Sequence, residues 1–337
     1  MNKNKIALLL SAAVLVPNLV FASTLQDVTK KGKVACGIST GNAGFSSIDS
    51  KGAWIGLDVD FCKAVAAAVL GDAEKVKYVP LTSAERLTAL QTGEIDLLAR
   101  TTTWTSSRDT SLGLNFTGVN YYDGQGFLVK KNLGVTSAKE LNGATFCIQS
   151  GTTTELNLTD YFKTNKMEYK AITYDNANQA FEGFKAGRCD ALTTDASSLY
   201  GLLVQLDDAN SAVVLPEIIS KEPLGPVVRQ GDDQWFNIVR WTLFATLEAE
   251  ELGVTSSNVD TMLKSNNPNI KRLLGVSNST GTDLGLKDDW AYQIVKQVGN
   301  YSETFEKNVG QGSSLKITRG LNALWTDGGL MYSMPIR

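Results

Sequence analysis

The chain contains no histidine among its 337 residues. That absence removes the commonest general base, the Ser-His-Asp triad and the main transition-metal ligand together. Cysteine is scarce. Cys36, Cys62, Cys147 and Cys189 are the whole complement, with no CxxC pair and no zinc-ligand spacing. No Gly-x-x-x-x-Gly-Lys-Ser/Thr loop occurs, so the chain supplies no ATPase of its own. Beyond Val16 no stretch approaches the ~20 apolar residues of a transmembrane helix. Neither sign of charge dominates: 32 basic and 35 acidic residues give a net charge of −3. A mildly acidic balance argues against nucleic acid and anionic membrane as partners. No catalytic residue, metal or cofactor is expected from this inventory.

What is present begins with an export signal. Lys3 and Lys5 precede an apolar run, Ile6 to Val16, that is too short to span a bilayer. Val20-Phe21-Ala22 then supplies the −3 to −1 positions of a cleavage site. The reading is a signal peptide over residues 1–22, cut after Ala22, and a soluble periplasmic product. No cysteine follows the cut, which argues against a lipid anchor there. Removing 22 residues would leave 315 and, with Lys3 and Lys5 gone, move the net charge from −3 to −5. That length suits two ordinary domains. Export permits disulfides, and four cysteines fit two bridges with three connectivities open.

The body of the chain repeats itself. Leu87–Thr101 and Phe181–Asp195 each run from an amphipathic helical end through Gly-x-x-Asp into an apolar strand. The glycine in each suits a helix C-cap. The strand openings Gly32–Cys36 and Gly143–Cys147 also line up. One α/β unit used twice predicts two similar lobes with a ligand cleft between them, beyond the C-terminal strand ends. Strands are expected at 33–38, 76–79, 95–99, 127–130, 145–148, 171–174, 189–193 and 226–229. Helices are expected at 57–70, 83–91, 154–163, 177–186, 196–204 and 233–251. The chain should cross between lobes near Tyr121–Gly126 and return near Pro223–Val228, where Gly and Pro suit a hinge. This divides it into a first lobe (23–123), a second lobe (124–225) and a return to the first lobe with a C-terminal extension (226–337). In that extension Trp290, Tyr292, Ile294 and Val295 suggest core packing.

The repeat sets Thr101 and Asp195 at equivalent corners of the cleft. Around the first lies a hydroxyl-rich loop, Thr101 to Ser107, closed by Arg108. Hydroxyls, N–H groups and a bidentate guanidinium suit a small carboxylate. Asp195 opposite offers an acceptor for an ammonium. The pair fits an amino acid zwitterion. The competing role for Asp195 is a cap on the helix that follows, and for Thr152 or Thr154 an ordinary helix N-cap.

These residues resemble a known family. Gly56-Leu57-Asp58-Val59-Asp60-Phe61-Cys62, the Arg86 helix with Gly93-Glu94-Ile95-Asp96, Thr105-Ser106-Ser107-Arg108, Gly151-Thr152-Thr153-Thr154-Glu155 and Thr194-Asp195 are similar to segments of the family 3 solute-binding proteins of ABC importers. Within them the chain looks most like the general L-amino-acid-binding type. General-family similarity covers roughly residues 30–230. The resemblance implies that Arg108, Thr101, Thr103 and Thr153 take the substrate α-carboxylate and Asp195 the α-ammonium. It implies a side-chain pocket of Ser39, Asn42, Phe45, Arg86 and Arg100. Arg86 resembles an arginine of acidic-amino-acid binders, while Asn42 stands where many relatives carry an aromatic and Ser39 where basic-amino-acid binders carry an acid. For Phe45 the competing role is core, and for Arg100 an ion pair within its lobe. Disulfides Cys36–Cys62 and Cys147–Cys189, one per lobe, would leave the hinge free. The implied partners are an L-amino acid and the transmembrane subunits of an ABC permease, with the chain a monomer. The alternatives are a narrow glutamate/aspartate binder and a dehydratase on the same scaffold, for which Glu155 is the one further cleft carboxylate.

Overall fold

The computed structural model describes residues 23–277 and 280–337. The expected signal peptide and its cut after Ala22 lie outside the described residues. The first half opens with α1 (Thr24–Lys31), β1 (Val34–Ser39), a small hairpin of β2 (Ser47–Ile48) and β3 (Trp54–Ile55), and α2 (Leu57–Leu70). It continues through β4 (Val76–Leu81), α3 (Arg86–Gln91), β5 (Leu97–Leu98), α4 (Ser106–Ser111) and β6 (Leu114–Phe116). The chain leaves through β7 (Tyr121–Asp123) and builds β8 (Gln125–Lys130), β9 (Thr145–Gln149), α5 (Thr153–Thr164) and β10 (Lys170–Tyr174). There follow α6 (Ala177–Lys185), β11 (Ala191–Asp195), α7 (Ala196–Leu203) and β12 (Ala212–Val214). It returns through β13 (Glu222–Leu224) and β14 (Val227–Arg229) to the long α8 (Asp233–Glu251).

Two five-stranded sheets result, ordered β4-β1-β5-β14-β6 and β10-β9-β11-β8-β12. Each has three parallel strands, then a fourth antiparallel to both its neighbours. That fourth strand, β14 or β8, is the one entering from the other half. The crossings themselves, β7 and β13, pair antiparallel, with Tyr121 opposite Leu224 and Asp123 opposite Glu222. The two-lobed α/β architecture expected from the repeat is therefore the observed one.

The physical basis of the repeated Gly-x-x-Asp is the same in both lobes. Gly93 (φ 79°) and Gly187 (φ 73°) take the left-handed conformation that ends α3 and α6. The next N–H in each closes a Schellman turn, Glu94 onto Ala89 O and Arg188 onto Gly183 O. Asp96 then grips the opening peptide of β1, accepting from Ala35 N (2.9 Å) while its own N–H reaches Ala35 O (2.8 Å). Asp190 does the same to Thr145 at 2.7 and 2.8 Å. This makes Ala35 equivalent to Thr145, so Cys36 corresponds to Phe146. The alignment of Gly32–Cys36 with Gly143–Cys147 is off by one residue. The two disulfides, Cys36–Cys62 and Cys147–Cys189, are accordingly not repeat-related, although each stays within one lobe.

Local competition shifts several boundaries. The helix expected from residue 83 starts at Arg86, because Glu85 instead accepts from Thr82 N and Oγ1 at 3.0 and 2.6 Å. The strand expected at 189–193 lies at Ala191–Asp195, since Asp190 is occupied with Thr145. The strand expected at 95–99 pairs only over Leu97–Leu98.

The C-terminal residues join the first lobe. Trp235, Ile238 and Val239 of α8 pack with Trp290, Ile294, Val295, Tyr301 and Phe305 in the same core as Val34 and Ile38. Tyr292 is half-buried at its edge, its hydroxyl on Asp260. Each fully buried side chain of this size contributes about 1.5–3 kcal/mol. The extension also holds the hinge: Asn322 accepts from Tyr122 N (2.6 Å) and donates to Tyr122 O (3.0 Å).

Candidate functional site

A cavity of about 330 Å³ lies between the lobes, within the range of small-molecule sites. The lobes touch on both sides of it. Ser198 Oγ meets Asn42 Oδ1 at 3.2 Å. Gly151, at φ 72°, packs so closely that a Cβ there would lie 3.1 Å from the Ala84 backbone.

The first lobe supplies a basic wall at the C-terminal ends of β1 and β5. Thr101 sits at φ 37°, a strained conformation for a threonine. The buried Asp58 of α2 holds it there by accepting from Thr101 N at 3.0 Å. Three arginines converge and all are buried. Arg100 Nε donates to Leu81 O (3.0 Å), Arg108 Nη1 to Thr103 O (2.9 Å), and Arg86 Nη1 only weakly to Ser83 Oγ (3.4 Å). Arg86 Nε has no partner. Among the described residues, no carboxylate lies within ion-pair distance of any of the three. Burial, then the neighbouring Arg100 and Arg108, hold the Arg86 guanidinium well below the usual arginine range. Burial likewise pushes Arg100 down to about 10, against the pull of Asp58 and Asp195. Asp58 itself is pushed up to about 7 by burial.

The second lobe supplies an acid and two helix N-termini. Asp195 ends β11 and stands at the N-cap of α7, yet its side chain makes no capping bond. That work is done from the hinge: Asp123 accepts from Ser197 Oγ and, at 3.4 Å, from Ser197 N. The Asp195 carboxylate is thereby released toward the cavity. Burial, then Asp123 and Glu222, raise it well above the usual carboxylate range, opposed by Arg86 and Arg100. A cation arriving beside it would reverse that shift. Thr152 caps nothing either, because its hydroxyl donates to Gln149 O at 2.8 Å. The first N–H groups of α5, at Thr153 and Thr154, border the cavity at the positive end of the helix dipole.

Eight of the ten expected residues line the cavity: Ser39, Asn42, Arg86, Arg100, Thr101, Thr103, Thr153 and Asp195. Two do not. One is Phe45. It is 1% exposed and packs edge-to-face on Tyr121 in the first-lobe core, so the apolar ring fills the hinge rather than the pocket. Arg108 lies just behind the wall, its guanidinium turned onto the Thr103 carbonyl. Sequence reasoning missed the second-lobe wall of Gln149, Asn178, Ser198 and Gln205. It also missed Asp58, Asp123 and Glu222, which act on the wall from behind. A charged residue directly preceding the expected return crossing was the available signal for Glu222. Glu155 accepts from Gly151 N (3.2 Å) as a first-turn helix acid.

Two α/β lobes on a paired-strand hinge, closing on a cavity with opposed charges, define a two-lobed ligand-binding protein. The chain belongs to the bacterial extracellular solute-binding proteins, family 3, whose model matches residues 34–258. It is 60% identical over 318 residues to the general L-amino acid-binding periplasmic protein AapJ of Rhizobium johnstonii, spanning 94% of this chain and 93% of that one. It is 53% identical over 326 residues to the glutamate/glutamine/aspartate/asparagine-binding protein BztA of Rhodobacter capsulatus, spanning 96% of each. A solved ABC transporter periplasmic binding protein from Brucella ovis, with glutathione bound, matches with a TM-score of 0.92 at 56% identity. That match covers 94% of this chain and all of the Brucella chain. These relatives are transport binding proteins.

Proposed function

We propose that this chain is the periplasmic substrate-binding component of an ABC importer, taking L-amino acids with broad specificity. In this reading residues 1–22 are removed, residues 23–123 and 226–337 form the first lobe, and residues 124–225 form the second. The observation that carries the reading is the opposition of charge across the cavity. Asp195, relieved of capping, faces a first-lobe wall that includes Arg86 and Arg100 with Arg108 behind it, and the N-terminus of α5 lies beside it. A zwitterion satisfies both sides at once. Its ammonium pairs with Asp195, and its carboxylate takes the α5 N–H groups, the Thr101–Thr103 loop and the Arg108 charge. The side chain extends toward Ser39, Asn42, Arg86 and Arg100. Polar walls of this kind accept varied side chains through bridging water. Closure about β7 and β13 then presents the loaded form to a permease.

A second reading is favoured by one observation. Arg86 is buried with an unpartnered Nε and, among the described residues, no carboxylate within ion-pair distance, so a ligand carrying a second carboxylate would gain most there. Glutamate, aspartate and glutathione are such ligands, and the Brucella relative holds the last of these. A dehydratase reading needs a positioned acid at the cavity. Glu155 is committed to Gly151 N, which weighs against it.

The test is a thermal-shift panel on refolded, ligand-stripped protein, using the twenty L-amino acids and glutathione. Ligand at 100 times its Kd adds about 2.7 kcal/mol of stability. Shifts from aliphatic, polar and acidic amino acids alike are expected. Shifts confined to glutamate, aspartate and glutathione would replace breadth with the second reading, and an Arg86→Met variant should then abolish them. No shift from any of these would sink both.

A further inference from the structure

Glu222 carries an arrangement that ligand recognition does not account for. It lies on the hinge strand β13 and is 1% exposed. Its carboxylate is nonetheless saturated. Oε2 accepts from Thr103 Oγ1 (2.6 Å) and Thr153 Oγ1 (3.0 Å). Oε1 accepts from Asn157 Nδ2 (2.6 Å) and Ser220 Oγ (2.7 Å). Thr103 belongs to the first lobe, and Thr153 and Asn157 belong to α5 in the second. Ser220 and Glu222 belong to the hinge. One buried charge thus collects donors from all three moving parts.

We infer that Glu222 is a closure latch, a positioning residue that stabilises the closed arrangement of the lobes without touching the ligand side chain. This rests on the binding reading above. The physical argument is the cost of a buried carboxylate. Among the described residues no cation lies within ion-pair distance of it, so hydrogen bonds, helped by the more distant charges of Arg108 and Arg86, offset its desolvation. The first-lobe and second-lobe donors reach it together only when the lobes are together. Charge-assisted bonds of this kind are about twice as strong as neutral ones. Rotation about β7 and β13 would separate Thr103 from Thr153 and Asn157, and Glu222 would keep one set at most.

The latch also changes the roles of two threonines. A hydroxyl has one proton to give. In the closed form the Thr103 and Thr153 protons go to Glu222. Toward the cavity these side chains therefore present lone pairs. The ligand carboxylate is left to backbone N–H groups and arginine, so the threonine side chains work as latch contacts rather than as carboxylate donors.

The experiment compares wild type with Glu222→Gln and Glu222→Ala. Small-angle scattering of the ligand-free proteins reads the open and closed populations, and stopped-flow reads ligand release. The latch predicts a more open ligand-free ensemble and release faster by about tenfold, by the same factor for every amino acid bound. Asn157→Ala, on a helix flank, should act in the same direction by a smaller factor, and it carries the test if the Glu222 variants fail to fold. Unchanged scattering and release in the folded variants would overturn the latch. So would an effect confined to acidic ligands, which would mark Glu222 as a repelling charge. If wild type bound no amino acid, the binding reading would fall, while the ligand-free scattering would still decide the latch.

Discussion

The two lobes share a strand order and differ in almost everything placed upon it. The first-lobe sheet has a small core around Leu90, Ile95 and Phe116 and a much larger one that recruits α8, the helix Trp290–Gln297 and the C-terminal residues to Ile336. The second-lobe sheet also has two cores, both small, one around Phe127, Phe146 and Phe162 and one around Phe181, Phe184 and Leu199. The division of charge is as uneven. The first lobe holds Arg86, Arg100 and Arg108, and the second holds Asp195 and the free end of α5. A repeated scaffold has become a pair of complementary jaws. The shared Gly-x-x-Asp clamps preserve strand geometry, and the corner residues four positions after the equivalent β5 and β11 residues are free to diverge.

The sharpest way to break this comparison is to remove one charge from each jaw. Arg108→Ala and Asp195→Asn should each weaken binding of every amino acid by about 2–5 kcal/mol, a factor of about 30 to several thousand. Isothermal titration calorimetry measures both. A loss in one variant alone would mean that recognition is not shared between the lobes. A smaller effect tests the contact between them. Gly151→Val places a Cβ 3.1 Å from the Ala84 backbone at φ 72°, which opposes closure and strains the turn. Affinity should fall by about tenfold, with release quickened more than capture.

The smallest expected effect is in pH. In the ligand-free protein the Asp195 carboxyl is raised by burial and by Asp123 and Glu222, and an ammonium requires its charged form. Binding should therefore release a proton below that raised range, and affinity should climb as pH rises through it. Calorimetry in buffers of differing ionisation enthalpy reads the proton directly. Asp58, at about 7 when folded, gives the opposite slope for stability. It keeps a proton that the unfolded chain loses near its ordinary value of 3.8. Stability from this group is complete below about pH 4 and declines from there to about pH 7. A flat melting profile over that window would remove Asp58 from the account.

Much of the frame was legible because its signals are local. Gly93 and Gly187 each end a helix by their own backbone conformation, and the apolar run that follows can only be a buried strand. The bounds expected for α2 (57–70) and α8 (233–251) are the observed ones. Thr101 and Asp195 were placed at matching corners by counting from those glycines. The failures are of another kind. Phe45 reads equally well as a pocket wall or as core, and only its contact with Tyr121, 76 positions along the chain, decides. The one-residue offset between Cys36 and Phe146 is invisible until each strand is paired to its aspartate.

By itself, the sequence determined an exported α/β chain built from one unit used twice, with a carboxylate-seeking loop and an aspartate at equivalent ends. These follow from caps, periodicity and charge, which act over a few residues. Only the tertiary structure decided what each group was free to do. Asp123 takes over the capping of α7 from the hinge and so leaves Asp195 for a ligand. Glu222 draws the Thr103 and Thr153 hydroxyls away from one. A hydrogen-bonding group has few partners to give, and which it spends is settled by neighbours that the fold brings from 69 to 119 positions away.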